Sequence, residues 1–247
     1  MEKSIKEIYY NHKGFLVNKW NHYLDIYDRH FLPYQGKDVK FLEIGISQGG
    51  SLEMWKQYFG AGSMFYAMDI IPECKMFERE NVKIFIGSQG DPQYLNSILG
   101  DIPPLDILLD DGGHFVKDQI VTFNLLWDKV KDGGLYVCED LHTSYWYSYG
   151  GGYMRKGTFI EFVKHLMDVM HAWHSKQPAK FKLEKLTEQI KAIHVYESMV
   201  VIEKAKVSQP KQSKFGEKQI PDQIPAKRGF FDLATGKIRK AWMGFKN

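Results

Sequence analysis

Cysteine is scarce in this chain: two residues in 247, Cys74 and Cys138, far apart in sequence. That excludes a disulfide framework and makes a reducing cytoplasm the expected setting. Cys138 lies inside an apolar run and is expected to pack as a small hydrophobe. Long apolar runs are missing too. None approaches the ~18–20 residues that cross a bilayer, and the opening Met1–Ile8 has no apolar signal core, so no membrane span is expected. Charge of one sign is absent: 33 Lys and Arg stand against 30 Asp and Glu, a formal +3, with the basic residues scattered apart from a lysine-rich tail. A dedicated nucleic-acid binder concentrates such charge on one face, so no nucleic-acid partner is expected. No internal repeat is visible. What remains, 44% apolar over 247 residues, is enough for one large domain with a core.

Strand and helix patterns alternate regularly from Val39 onward. Val39–Ile46 reads as a strand, followed by a Gly/Ser turn and a helix over Ser51–Tyr58. Strands follow at Met64–Ile70, Val82–Ile86, Leu105–Leu109 and Leu135–Cys138, with helices over Pro92–Leu99 and Lys117–Val130 between the later ones. Such alternation implies an α/β, Rossmann-like doubly wound sheet, mostly parallel, with helices on both faces. Residues 158–175 read as a helix. Phe181–Leu186 and Ile193–Glu203 read as two late strands that complete a seven-stranded mixed sheet. Residues 1–37 read as a helical cover, with Trp20, Tyr23, Leu24, Tyr27 and Phe31 on one helix face. The expected organisation is therefore a cover over 1–37, a main domain over 38–204 and a C-terminal extension over 205–247. The last begins as a Lys/Gln/Ser/Pro-rich linker and offers a small hairpin over Phe230–Phe245.

Two strand ends carry an unusual density of chemistry. Leu105–Leu109 runs into Asp110-Asp111-Gly112-Gly113-His114. Leu135–Cys138 runs into Glu139-Asp140-Leu141-His142, then Thr143-Ser144-Tyr145-Trp146. Open α/β sheets bind ligands at the carboxyl ends of their strands, so both sets are expected in one crevice. Several carboxylates and two imidazoles in one small volume need a positive partner, and a divalent cation is the economical answer. The aromatic, glycine-hinged stretch after His142 is a candidate wall or lid for a substrate site.

The turn after the first strand, Glu43-Ile44-Gly45-Ile46-Ser47-Gln48-Gly49-Gly50-Ser51, matches neither Gly-x-Gly-x-x-Gly nor the P-loop. Glu43 would repel a pyrophosphate but suits the ammonium of an amino-acid moiety. Asp69 ends the second strand, where an acidic side chain can take both ribose hydroxyls. In that order, the two features point to S-adenosylmethionine.

The chain resembles the class I S-adenosylmethionine-dependent methyltransferases. Within them it is similar to the metal-dependent sugar O-methyltransferases of the macrocin and mycinamicin type. The shared residues are 43–45, 49–55, 87–92, 110–114 and 139–146, with Lys19, Tyr23 and Tyr27 in the N-terminal helix; the likeness covers about residues 15–205. It implies magnesium held by Asp111, Glu139 and Asp140, and His114 as general base, with Asp111 in the catalytic set. It further implies a cofactor site with Glu43, Gly45 and Ser51 at the amino-acid end and Asp69 and Ile70 at the ribose. Gln89 or Asp91 would flank the adenine, Asp110 would lie near the methionine end or support the metal, and Lys19 and Tyr23 would be among the cofactor contacts. His142, Tyr145 and Trp146 are the expected acceptor contacts. The expected partner is a small sugar acceptor: a natural-product glycoside, a nucleotide sugar or a surface-polysaccharide precursor. A homo-oligomer, dimer or larger, is also expected. The alternatives are a catechol-type or cephalosporin hydroxylase-like small-molecule enzyme, or a non-catalytic cofactor-binding accessory protein.

Overall fold

A computed structural model of the chain describes residues 3–220. One compact unit runs through Gln209. The hairpin expected over Phe230–Phe245 lies outside the described residues.

Seven strands form one sheet: β1 (Lys40–Ile44), β2 (Met64–Asp69), β3 (Val82–Ile86), β4 (Leu105–Asp110), β5 (Val130–Cys138), β6 (Ile190–Tyr196) and β7 (Met199–Lys204), in the order β3-β2-β1-β4-β5-β7-β6. The first five are parallel, and β7 pairs antiparallel with both β5 and β6. Helices are α1 (Ile5–Tyr10), α2 (Asn21–Phe31), α3 (Gly50–Tyr58), α4 (Pro92–Ile98), α5 (Val116–Leu126) and α6 (Phe159–Met170).

The period of two along β1 sorts its side chains between two cores. Phe41 points into an aromatic core with Tyr27, Phe31, Trp55 and Phe65, under α2 and α3. Leu42 and Ile44 point into the opposite core with Leu95, Phe123 and Leu166, under α4, α5 and α6. Both faces of the parallel strands are covered, as an all-buried parallel sheet requires. Chain order reverses between β1 and β4, so a crevice opens at their carboxyl ends. The register is decisive there: Ile44 lies beside Asp110, and Asp110 beside Cys138. Gly45, Asp111 and Glu139, each one residue further on, are thereby brought together.

The N-terminal cover is helical as expected, built of two helices; two other expectations are corrected. A capping box between Ser4 and Glu7 starts α1, and an irregular segment separates it from α2. Phe181–Leu186 is not a strand; bends lead there into a single 3-10 turn over Lys185–Glu188. Both late strands instead come from residues 190–204, folded back as a hairpin. Ser198, with φ +59, takes the left-handed conformation that this reversal needs, without the glycine that would have signalled it. No helix among the described residues is long and apolar enough to cross a membrane.

Candidate active site

A cleft of about 440 Å³ lies at the crevice, lined among others by Lys19, Gly45, Ser47, Ser51, Asp69, Ile70, Gln89, Asp111, His114 and Asp140. That volume suits a small-molecule ligand. At its floor, Gly45 has φ +83, and a Cβ there would lie 2.1 Å from the Asp111 carbonyl oxygen, so only glycine lets β1 and β4 run on side by side into their turns. Asp69 organises the wall. Its Oδ2 accepts from the Ile46 and Ser47 amides, both at 2.9 Å, and its Oδ1 accepts from Ile71 N at 2.9 Å. Gln89 ties the third strand's loop to the acidic turn: its Nε2 donates to Asp110 Oδ1 at 2.8 Å, and its Oε1 accepts from Gly113 N at 2.8 Å.

Backbone strain gathers at the same place. Non-glycine residues with positive φ include Ser47, His114 and Asp140, all lining the cleft, and Ser198 beside it. Such conformations cost free energy and persist where surrounding contacts over-determine them, most often at functional sites. Thr143 Oγ1 is one such contact, 2.9 Å from His114 O and 2.8 Å from Asp140 O.

The acidic residues divide into two sets. Toward the mouth, Asp111, His114 and Asp140 each offer one ligand atom within 4.8 Å of the others. His114 Nε2 lies 3.2 Å from Asp140 Oδ2 and 3.9 Å from Asp111 Oδ1, while its Nδ1 is buried with no partner. Tyr23 Oη donates to Asp140 Oδ1 at 2.8 Å or to Ser198 O at 3.0 Å, and it accepts from Asp140 N. Tyr23 therefore orients Asp140 and lies off the cleft lining expected of it.

Deeper in, the Lys19 ammonium sits 2.5 Å from Asp111 Oδ2, 3.1 Å from Glu139 Oε1 and 3.7 Å from Glu43 Oε1. Tyr27 Oη adds a short hydrogen bond to Glu139. Burial alone would strip Lys19 of its proton, but Asp111, Glu139 and Glu43 outweigh it and hold its pKa well above the ordinary lysine value. Burial, and after it the negative charge of Asp111, also push Glu139 up, well above the usual carboxylate range. Burial likewise raises Glu43 to about 7, although Lys19 pulls it down. Glu43 does not line the cleft. Its Oε2 accepts from Ser51 Oγ at 2.8 Å and Trp55 Nε1 at 3.1 Å, while Oε1 has no hydrogen bond.

Glu139, expected beside Asp111 and Asp140, is thus absent from the converging ligand set of the described residues, because Lys19 and Tyr27 occupy its carboxylate. Asp91 is exposed and caps α4, accepting from Gln93 N and Tyr94 N. Asp110 is buried under Gln89 and Tyr136, and burial raises it to about 7. His142 is outside the lining: its Nδ1 meets Ser198 Oγ at 2.5 Å, and its ring packs against Trp146 and Trp20. Tyr145 and Trp146 are half-exposed beside it. Sequence reasoning missed the meeting of Lys19 and Tyr27 with Glu139. The available signal was a lysine just ahead of an aromatic stripe whose tyrosines bring hydroxyls into a core.

No protein-family model matches the chain. It is 33% identical over 199 residues to the 8-demethyl-8-alpha-L-rhamnosyl tetracenomycin-C 2'-O-methyltransferase of Streptomyces olivaceus, covering 76% of this chain and 52% of the relative. It is also 33% identical over 203 residues to the demethylmacrocin O-methyltransferase of Streptomyces fradiae, covering 77% and 51%. The mycinamicin VI 2''-O-methyltransferase of Micromonospora griseorubida matches at 33% over 192 residues, covering 73% and 47%. Among solved structures, the MycE methyltransferase of mycinamycin biosynthesis, in complex with Mg, SAH and mycinamycin VI, superposes with a TM-score of 0.74. It shares 28% identity and covers 96% of this chain and 60% of that one. The chain spans about half the length of the curated relatives it matches.

Proposed function

We infer, from likeness in sequence and fold, that the chain belongs with the class I S-adenosylmethionine-dependent methyltransferases of the macrocin and mycinamicin type. From that kinship we propose that it methylates a sugar hydroxyl, using S-adenosylmethionine and magnesium. The acceptor is a natural-product glycoside, a nucleotide sugar or a surface-polysaccharide precursor. The observation that carries this is the convergence of Asp111, His114 and Asp140 in a cleft also lined by Asp69 and Gly45.

The residues present fit both groups. Oxygen donors on Asp111 and Asp140 suit magnesium, with Glu139 joining them if Lys19 releases it. Asp69 has carboxylate lone pairs to spare for ribose hydroxyls, and Glu43 Oε1, behind the turn, makes no hydrogen bond and meets only the Lys19 ammonium at 3.7 Å. When bound, the cofactor supplies the methyl group and the magnesium ion acidifies the acceptor hydroxyl.

The chain's own groups do the rest. Asp140 is held by Tyr23, and His114 by the strained turn after β4. His114 Nε2 faces Asp140 Oδ2 at 3.2 Å. With its hydrogen on Nδ1, the His114 imidazole would accept the acceptor hydroxyl's proton at Nε2. Trp146, Tyr145 and His142 wall the acceptor side. The buried, unpaired thiols of Cys74 and Cys138 support a reducing cytoplasm. Assembly into a homo-oligomer belongs to the same proposal and is checked by light scattering.

Methyl transfer to a panel of hexoses, nucleotide sugars and catechols, with chelator and then with magnesium, tests the function. Turnover of a sugar that vanishes with chelator and returns with magnesium is the expected result. Turnover of a catechol alone, or full activity in chelator, refutes it.

A further inference from the structure

A second group of ligand-type side chains lies apart from the cleft. His30 on α2, His194 on β6 and Glu203 on β7 each offer one ligand atom within 4.8 Å of the others. We propose that these three residues form a transition-metal site, of the zinc type, that clamps α2 to the β6-β7 hairpin.

The hairpin register puts the donors on one face. Ala192 pairs with Glu203 and His194 with Val201, so His194, Tyr196, Val201 and Glu203 point the same way. Val201 lies in the core beneath α2, which identifies that face as the one turned toward the helix. His30 meets it from above, its ring centroid 4.6 Å from that of His194. Two imidazoles and one carboxylate are a zinc donor set, and the nitrogen donors disfavour magnesium.

The surroundings prepare these donors. Tyr196 Oη lies 2.7 Å from His30 Nε2, where it can orient the ring. His194 Nε2 and Glu203 Oε1 already touch at 2.7 Å, and Lys191 holds the other Glu203 oxygen at 2.9 Å. Ligands around tetrahedral zinc stand roughly 3.3 Å apart, given bonds of ~2.0–2.1 Å. Closing the group on an ion therefore needs side-chain shifts on the order of 1 Å, with water in the fourth position.

The consequence reaches the cleft through one helix face. Tyr23, Tyr27 and His30 follow one another at spacings of four and three, so they share a stripe of α2. Tyr23 holds Asp140 and Tyr27 holds Glu139. A metal on His30 fixes the rotation of the helix that presents those hydroxyls. The site stands independently of methyl transfer, and its test reads none.

The experiment uses the untagged full chain carrying Asp111→Asn and Asp140→Asn, which removes the cleft as a competing site. Stripped protein is titrated with Zn²⁺ by calorimetry, and Co²⁺ is followed by visible absorption. One equivalent is expected, with a nitrogen-containing Co²⁺ spectrum and a raised melting temperature. His30→Ala and His194→Ala should each weaken binding by roughly 100-fold or more. Glu203→Gln, which keeps the shape, serves if a histidine variant fails to fold by circular dichroism. Absence of stoichiometric binding at low-micromolar metal overturns the proposal, as does affinity unchanged in the folded variants.

Discussion

Replacing Lys19 by Met probes the deepest charge arrangement in the molecule. The substitution keeps most of the apolar stem and deletes an ammonium within 4 Å of two buried carboxyl groups, Glu43 and Glu139, and the partly exposed Asp111. Removing one partner of a buried ion pair costs about 3–5 kcal/mol, because the partner charge is left uncompensated. Against a total stability of about 5–15 kcal/mol for a domain, that is large. The cost depends on pH, with a sign fixed by the shifts. Glu43 and Glu139 are raised above their ordinary range, so the folded state already binds more protons than the unfolded one. Loss of Lys19 raises them further, so the variant's stability falls more steeply than the parent's as pH climbs from about 5 to 8. At pH 5 the carboxyls protonate and most of the deficit disappears. Urea unfolding followed by tryptophan fluorescence in chelator measures this at each pH. Magnesium should restore the variant more than the parent, since a divalent ion replaces the missing charge. A Lys19→Met protein within about 1 kcal/mol of the parent at pH 8, with the same pH slope, refutes the assignment of Lys19 as counter-ion.

Two further outcomes follow from the same geometry. Asp69→Ala should weaken S-adenosylmethionine binding by roughly 10- to 150-fold, from loss of a charged hydrogen-bond partner. It should also destabilise the fold, since three backbone amides lose their acceptor; Asp69→Asn, which keeps one acceptor oxygen, should be milder in calorimetry and melting alike. Asp110, raised to about 7 by burial, costs stability as pH rises from ~4 toward 7, because the folded state resists its ionisation. Asp110→Asn should therefore be more stable than the parent at pH 8 in chelator, on the order of 2–4 kcal/mol, and no better at pH 4. An equal or larger gain at pH 4 contradicts that reading of Asp110.

The sheet was legible because its strands are short apolar runs bounded by turns, and because parallel pairing leaves their ends in a row. That is why Asp111 and Asp140 were readable as neighbours across some thirty residues of sequence. The hairpin was harder. Ile193–Glu203 has the composition of one strand, and the reversal at Glu197-Ser198 uses a serine at φ +59 where glycine or asparagine would have marked it. Phe181–Leu186 shows the opposite error: aromatic and apolar residues suggest a strand, yet β7 lies between β5 and β6 in the finished sheet and no further edge partner exists for it among the described residues. In the cleft, the pairing of Lys19 with Glu139 joins residues 120 apart, and Tyr27 with Glu139 joins residues 112 apart. No local pattern encodes such contacts; they follow from α2 packing on the aromatic core. Asp91 illustrates a competing local rule, since an aspartate before proline at a helix start is first a cap.

The central claim is that His114 takes the acceptor proton at a site assembled by Asp111 and Asp140. Single-turnover methyl transfer by His114→Ala, at saturating S-adenosylmethionine and magnesium, tests it most directly. A rate roughly 100- to 10,000-fold below the parent is predicted, with cofactor affinity by calorimetry nearly unchanged, because the imidazole faces the Asp140 and Asp111 carboxylates, whereas Asp69 is tied to the Ile46, Ser47 and Ile71 amides. A rate within about five-fold of the parent contradicts the account and leaves His114 a positioning residue.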